Sequence, residues 1–274
     1  MRRLAILVAA IAVLAAACGS SDPEIIGIRA SSDPAVGDAR FLFAVNEIDG
    51  TRRGSPDEVV VVTASPLAQP DVSYEVPTEF VWIVPNGIGL YKAEIPWDTG
   101  GQWEIDFTIS TGEETQPFLV FVGDEPTTVA VGEAAPLVAT PTVADTPVED
   151  LSTDDPLDER FYQLSLDEAL ANGQKTVAIF ATPAFCTSAA CGPMMNQVKG
   201  MAGDYPSVNW VHVEVYQGFN EADFAPDVDH LVPAVTEFRL PSEPWIFVMD
   251  EQGTVTARLE GVLAPGELEE LLDA

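Results

Sequence analysis

The plainest pattern in the chain is its first one. Leu4 to Ala17 is an unbroken apolar run preceded by Met1-Arg2-Arg3. A bilayer span needs about 20 such residues, so this shorter run has the dimensions of an export leader. From about residue 23 to 131 the apolar positions recur with a period of two. Strands are expected over Glu24–Ala30, Asp38–Asn46, Glu58–Thr63, Phe80–Val84, Gly89–Ile95, Gln102–Ser110 and Pro117–Val122. The clearest alternation sets Trp103, Ile105, Phe107 and Ile109 against Glu104, Asp106, Thr108 and Ser110, which marks a strand with one buried face. Pro85-Asn86-Gly87 and Thr99-Gly100-Gly101 supply turns.

Between residues 132 and 159 no period survives. Pro136, Pro141, Pro147 and Pro156 alternate with Ala, Thr, Val and acids, which predicts an extended spacer. From 160 to 274 strand and helix patterns alternate. Ser165 and Glu168 form a capping box for a helix closed by Asn172-Gly173. Strands are expected at Thr176–Ala181, Val208–Val215, Trp245–Met249 and Thr254–Glu260. Helices are expected at about Gly192–Ala202, Val232–Phe238 and Pro265–Leu272. The resulting expectation is two domains: an N-terminal all-β immunoglobulin-like sandwich over 23–131 and, after the spacer, a C-terminal α/β domain over 160–274.

Composition narrows the functional classes. Apolar residues make up 47% of the 274, too many for wholesale disorder. There are 44 acidic residues against 12 basic ones, for a formal charge of −32. The basic residues are scattered and form no stripe that could track a phosphate backbone, so nucleic acid is not expected as a partner. The three cysteines are Cys18, Cys186 and Cys191, and the two histidines are His212 and His230.

Three resemblances sharpen this. Leu14-Ala15-Ala16-Ala17-Cys18-Gly19 resembles the bacterial lipobox, which implies cleavage before Cys18, its diacylation, and attachment to the outer face of the cell membrane. The leader would then be residues 1–18 including that cysteine. Gly89-Leu-Tyr-Lys-Ala-Glu-Ile95 with Gly101-Gln-Trp103-Glu104 resembles the closing hairpin of YtkA-like exported sandwich domains. Thr176-Val-Ala-Ile-Phe-Ala-Thr-Pro-Ala-Phe185-Cys186, Cys191-Gly192-Pro193, and Ser242-Glu243-Pro244-Trp245 resemble the active strand, the motif start and the cis-proline loop of the thioredoxin-like family. That resemblance implies a thioredoxin-like fold for 160–274. It also implies a redox disulfide Cys186–Cys191, an orienting cis proline at Pro244, and a substrate groove touched by Glu243, Trp245, Gly192 and Pro193. The family pattern is altered at three places: Met194 stands where the second cysteine usually lies, Ile179 or a neighbour where a buried carboxylate does, and Glu243 precedes the proline.

The residues themselves support two chemistries for the pair. A cysteine at a helix start feels unpaired N–H groups and the positive end of the dipole, which lower its pKa; Cys191 fits this and is the expected attacking thiol, with Cys186 resolving the mixed disulfide, although the count from Phe180 favours Cys186 as the first cysteine. The implied function is a membrane-anchored thiol–disulfide oxidoreductase acting on exported protein thiols or a redox partner, with no cofactor beyond the disulfide. The alternative is Cu(I) binding by Cys186, Cys191, Met194 (with Met195) and His230, as in a respiratory oxidase assembly factor. A third reading is an interaction lipoprotein without catalysis. His212, in mid-strand, reads as a packed residue.

Overall fold

The computed structural model describes residues 24–274. The expected leader and Cys18 lie outside the described residues. Nine strands make up the first unit: β1 (Ile25–Arg29), β2 (Arg40–Glu47), β3 (Arg52–Arg53), β4 (Val60–Pro66), β5 (Tyr74–Val84), β6 (Ile88–Glu94), β7 (Gly101–Ile109), β8 (Thr115–Gln116) and β9 (Phe118–Val122). They form one sheet in the order β8-β1-β2-β6-β5-β4-β7-β9, with β3 added to β2. The sheet curls until its ends meet: β8 pairs with β1, and the Thr115 hydroxyl donates to the Phe107 carbonyl of β7. Inside lies one apolar core containing Phe41, Phe43, Tyr91, Trp97, Trp103 and Phe107. The alternation read at Trp103–Ile109 is the inward face of β7, every apolar member of which is buried.

Strand β2 is different, because Phe41, Leu42, Phe43, Ala44 and Val45 are all apolar. Its odd residues fill the barrel-like interior, and Leu42 and Ala44 point outward. A strand with two apolar faces needs cover on both. The second unit supplies it: Leu42, Val81, Ile83 and Leu90 pack with Ala190, Val262 and Ala264.

The second unit contains α1 (Leu166–Ala171), β10 (Thr176–Ala181), α2 (Cys191–Met201), β11 (Asn209–Glu214), α3 (Pro233–Glu237), β12 (Trp245–Met249), β13 (Val255–Glu260) and α4 (Glu267–Asp273). Its sheet order is β11-β10-β12-β13; β10 runs parallel to β11, and the other two pairs are antiparallel. Strand β10 is buried at every position, because chain covers both faces of the sheet. One face carries Ile179, Ile246, Met194 and Val198, and the other carries Phe180, Phe247, Leu166 and Val235.

The expected fold class is corrected. The described residues are mostly β, with two sheets, one of them nearly barrel-shaped, and only 17% helix. An immunoglobulin-like sandwich needs two sheets face to face, whereas here the first-unit strands hydrogen-bond into a single curled sheet. The C-terminal region is not a clear α/β thioredoxin-like fold. Three of its four α-helices have seven residues or fewer, and irregular chain does much of the covering. That chain includes the stretch from 132 to 159. It is irregular chain, with turns and a 3-10 helix at Val148–Asp150, and it is packed. The Gly132 N–H donates to Val255 O at 2.8 Å and the Ala135 N–H to Gly253 O at 2.9 Å, while Ala135 and Leu151 enter opposite cores.

Charged residues lock the two sheets together. Arg258 of β13 is almost fully buried; its guanidinium donates to Asp33 Oδ2 at 2.6 Å, the Asp33 carbonyl at 2.8 Å, Asp38 Oδ2 at 2.7 Å and the Thr128 hydroxyl. It also lies 5.6 Å from the centre of the Trp245 ring. Burial works to raise the Asp33 carboxyl, but the Thr128 and Thr127 N–H groups and Arg258 outweigh it and hold the group below the usual carboxylate range. A second pair, Arg40 to Glu267 at 2.7 Å, crosses the same junction, and Arg40 also donates to the carbonyls of Glu260 and Val262. Removing one partner of a buried pair leaves an uncompensated charge, at a cost of about 3–5 kcal/mol. Arg258→Met is therefore expected to lower the free energy of urea unfolding by about that amount. A loss under about 1 kcal/mol, the range of exposed pairs, would show that the junction does not depend on it.

Candidate functional site

Strand β10 ends at Ala181, and the chain turns through Thr182-Pro183-Ala184-Phe185 to Cys186. After a turn through Thr187, Ser188 and Ala189, the chain enters α2 at Cys191. Cys186 and Cys191 are disulfide-bonded, with Cα atoms 6.0 Å apart. Their surroundings differ. Cys191 is fully buried beside Met194 and Met195 in the core under the sheet, whereas Cys186 is partly exposed. The Cys191 N–H, in the first turn of α2, donates to Cys186 Sγ at 3.3 Å. The Ser188 hydroxyl lies 3.2 Å from the same sulfur. Such donors stabilise negative charge on a sulfur. The helix start thus serves Cys186, although Cys191 is the residue that occupies it.

The other residues singled out in the sequence gather unevenly. The Glu243–Pro244 peptide is cis. Glu243 and Pro244 share a groove with Ser188 and Ala190, the residues between the cysteines. Burial, then the neighbouring Glu214, raises the Glu243 carboxyl above its ordinary value. Trp245 is buried and turned toward Arg258, with its indole N–H donating to Ser242 Oγ at 3.2 Å. Gly192 and Pro193 lie half-buried on the first turn of α2. Met194 is sealed in the core. His230 is hydrogen-bonded to Asp227 at 2.8 Å and reaches the cysteine loop only through aromatic rings: His230 on Phe224 at 5.1 Å, and Phe224 on Phe185 at 4.9 Å. Among the described residues no cluster of three or more His, Cys, Asp or Glu is arranged to hold a metal ion.

A buried polar network behind the loop was not anticipated. His212 and Glu214 follow Trp210 at alternate positions of β11 and share its face. The His212 ring nitrogens lie 2.6 Å from the Tyr162 hydroxyl and 3.1 Å from the Ala181 carbonyl. Glu214 Oε2 accepts from the Thr153 N–H and hydroxyl, both at 2.8 Å, and the Thr153 hydroxyl accepts the Ala184 N–H at 3.1 Å. The other Glu214 oxygen is buried without a partner among the described residues. The available signal was Trp-Val-His-Val-Glu-Val, in which two ionisable residues fall on a face that the sheet buries.

No protein-family model matches the chain, and no curated protein matches it in sequence.

Two expectations follow. In the reduced protein, brief iodoacetamide treatment is expected to modify Cys186 at least about tenfold faster than Cys191, because reactivity follows thiolate character and exposure. Peptide mapping that finds equal labelling would contradict the asymmetry. Burial, outweighing Glu214 and the Ala181 carbonyl, holds the His212 pKa below its ordinary value of 6.5. The unfolded chain then binds a proton that the folded chain refuses, so stability is fully present above pH 6.5 and falls as pH drops below it. Melting temperatures at pH 7.5 and 5.5 should show a smaller acid loss in His212→Gln than in the wild type. An equal loss would place the titration elsewhere.

Proposed function

We propose that the protein is an exported, lipid-anchored thiol–disulfide exchange protein that works through Cys186 and Cys191. One observation carries the reading: the pair is split between surface and core, with a helix N–H aimed at the exposed sulfur. A structural clamp has no use for that polarity, and closing a loop this short stabilises by only roughly 2 kcal/mol. The basic, apolar and lipobox-like start of the chain supports placement on the outer face of the membrane, where disulfides persist.

Exchange proceeds in two balanced steps. A thiolate of a partner dithiol attacks Cys186 Sγ; the new intermolecular S–S bond forms as the Cys186–Cys191 bond breaks, and Cys191 leaves as a thiolate. The partner's second thiolate then attacks its own sulfur in that mixed disulfide and releases Cys186 as a thiolate. Two electrons pass to the protein, and the two protons that leave the dithiol end on the cysteine pair or in solvent. The reverse sequence oxidises the protein's dithiol and reduces a partner disulfide. Cys186 is thus the attacking and attacked sulfur, Cys191 the resolving one. Pro244 and the half-buried Glu243 border the approach.

Equilibration with dithiothreitol or glutathione, read by mass-spectrometric thiol counting, should give a potential between about −270 and −120 mV. Cys191→Ser should accumulate mixed disulfides with exported proteins, and Cys186→Ser should not. A potential below about −300 mV would identify an inert structural bond and end the proposal.

A further inference from the structure

The groove at the cysteine loop is built mainly by the other sheet. Its volume is about 320 Å³. One end is formed by Ser188, Ala190, Glu243 and Pro244. Its wall is the outward face of β1, β2, β5 and β6, where Ile28, Ala44, Ile83, Ile88 and Leu90 present apolar side chains. Ile28 is 44% exposed, and Ala44 and Ile88 are only partly covered. Arg52 and Arg53 stand at the other end. A larger cleft, about 720 Å³, lies beside the Arg40–Glu267 pair and includes no residue of the cysteine loop.

Charge along the groove is polar. Near the disulfide are Glu243 and Glu260. At the far end, Arg53 is already paired with Glu113 and Glu58, but Arg52 makes no ion pair among the described residues and is exposed. In a chain with only 12 basic residues, an uncommitted arginine at the end of an apolar groove is informative. Arg52 pairs across from Asn46 of β2, and Leu42 of the same strand packs on Ala190. Four residues of strand separate these points, on the order of 13 Å at 3.3 Å per residue. An extended peptide of the same length would reach from one end of the groove to the other.

We propose that this groove selects the protein's exchange partners: extended polypeptide segments in which the reacting cysteine is followed by apolar residues and, about four residues on, by a carboxylate that meets Arg52. The inference rests on the thiol–disulfide reading above and adds a substrate class to it. The apolar side chains lose water against Ile28, Ala44 and Ile88, and the carboxylate is kept away from the acidic end near the disulfide. The exchange step is the one already given, with the peptide thiolate attacking Cys186 Sγ and Cys191 leaving.

The test compares reduced, end-blocked peptides reacting with the oxidised full-length chain in detergent, followed by acid quenching, alkylation and mass spectrometry. The peptides are Cys-Leu-Val-Ser-Glu, the same peptide ending in Lys, and Cys-Ser-Ser-Ser-Glu; uncharged dithiothreitol serves as a substrate that needs no groove. The first peptide is expected to open the disulfide about tenfold faster than either of the others. Arg52→Glu, at an exposed position without an ion-pair partner, should reverse the Glu-over-Lys preference and leave the dithiothreitol rate within about twofold of wild type. Equal rates for the three peptides, with normal reduction by dithiothreitol, would overturn the groove and leave the redox reading intact. A disulfide that neither dithiothreitol nor any peptide reduces would overturn the redox reading, and the groove with it.

Discussion

The architecture depends on placing one guanidinium, that of Arg258, where water cannot reach it. Taking that charge out of water is costly, and only a complete set of partners offsets the cost. The partners come from distant parts of the chain: Asp33 and Asp38 precede β2, and Thr128 lies just before the proline-rich stretch. Satisfying Arg258 therefore fixes the curled sheet against the second sheet. The Arg40–Glu267 pair and the hydrogen bonds of Ser32 to Glu260 and Ser242 hold the same junction at further points. With that docking set, the outward face of β2 and β6 falls on the loop between the two cysteines. The position of the cysteine loop and that of the apolar wall beside it are consequences of one junction.

The cysteine pair shows how burial divides two chemically identical groups. Cys191 points into the core with Met194 and Met195, where a thiolate would be poorly solvated. Cys186 sits at the surface and receives the N–H that Cys191 itself contributes. Behind them, Glu214 and His212 keep ionisable groups inside the protein through Thr153, Tyr162 and the Ala181 carbonyl. The stretch carrying Ser152 and Thr153 serves as a plug over β11, with its hydroxyls facing the carboxylate. A proline-rich segment suits this work, because a chain that cannot join a regular ladder leaves its polar groups free to bind side chains.

Local structure was largely legible in the sequence. The strands at Trp103–Ile109, Thr176–Ala181 and Trp245–Met249, the capping box at Ser165 and the helix following Cys191 follow from period, caps and turns. What misled was the step from elements to architecture. Seven short strands are compatible with two facing sheets or with one curled sheet, because period two says only that a face is buried and not what buries it. The long, half-polar start of β5 from Tyr74 was missed for a different reason: its positions alternate, but Pro77 stands in the run and argues against a paired strand, and pairing with β4 supplies the order. Five consecutive apolar residues in β2 were the one hint that this strand is covered on both sides.

By itself the sequence determined where most strands and helices form and the closeness of Cys186 to Cys191, since both depend on neighbours within a few residues. Tertiary structure alone decided which sulfur faces solvent, that 132–159 packs instead of hanging free, that Arg258 finds Asp33 from 225 positions away, and that one sheet supplies the wall of the other's site. The reason is physical. Periodicity and capping arise from local hydrogen bonding and side-chain spacing, whereas burial, charge pairing and groove shape arise from contacts between segments whose separation along the chain carries no signal of their meeting.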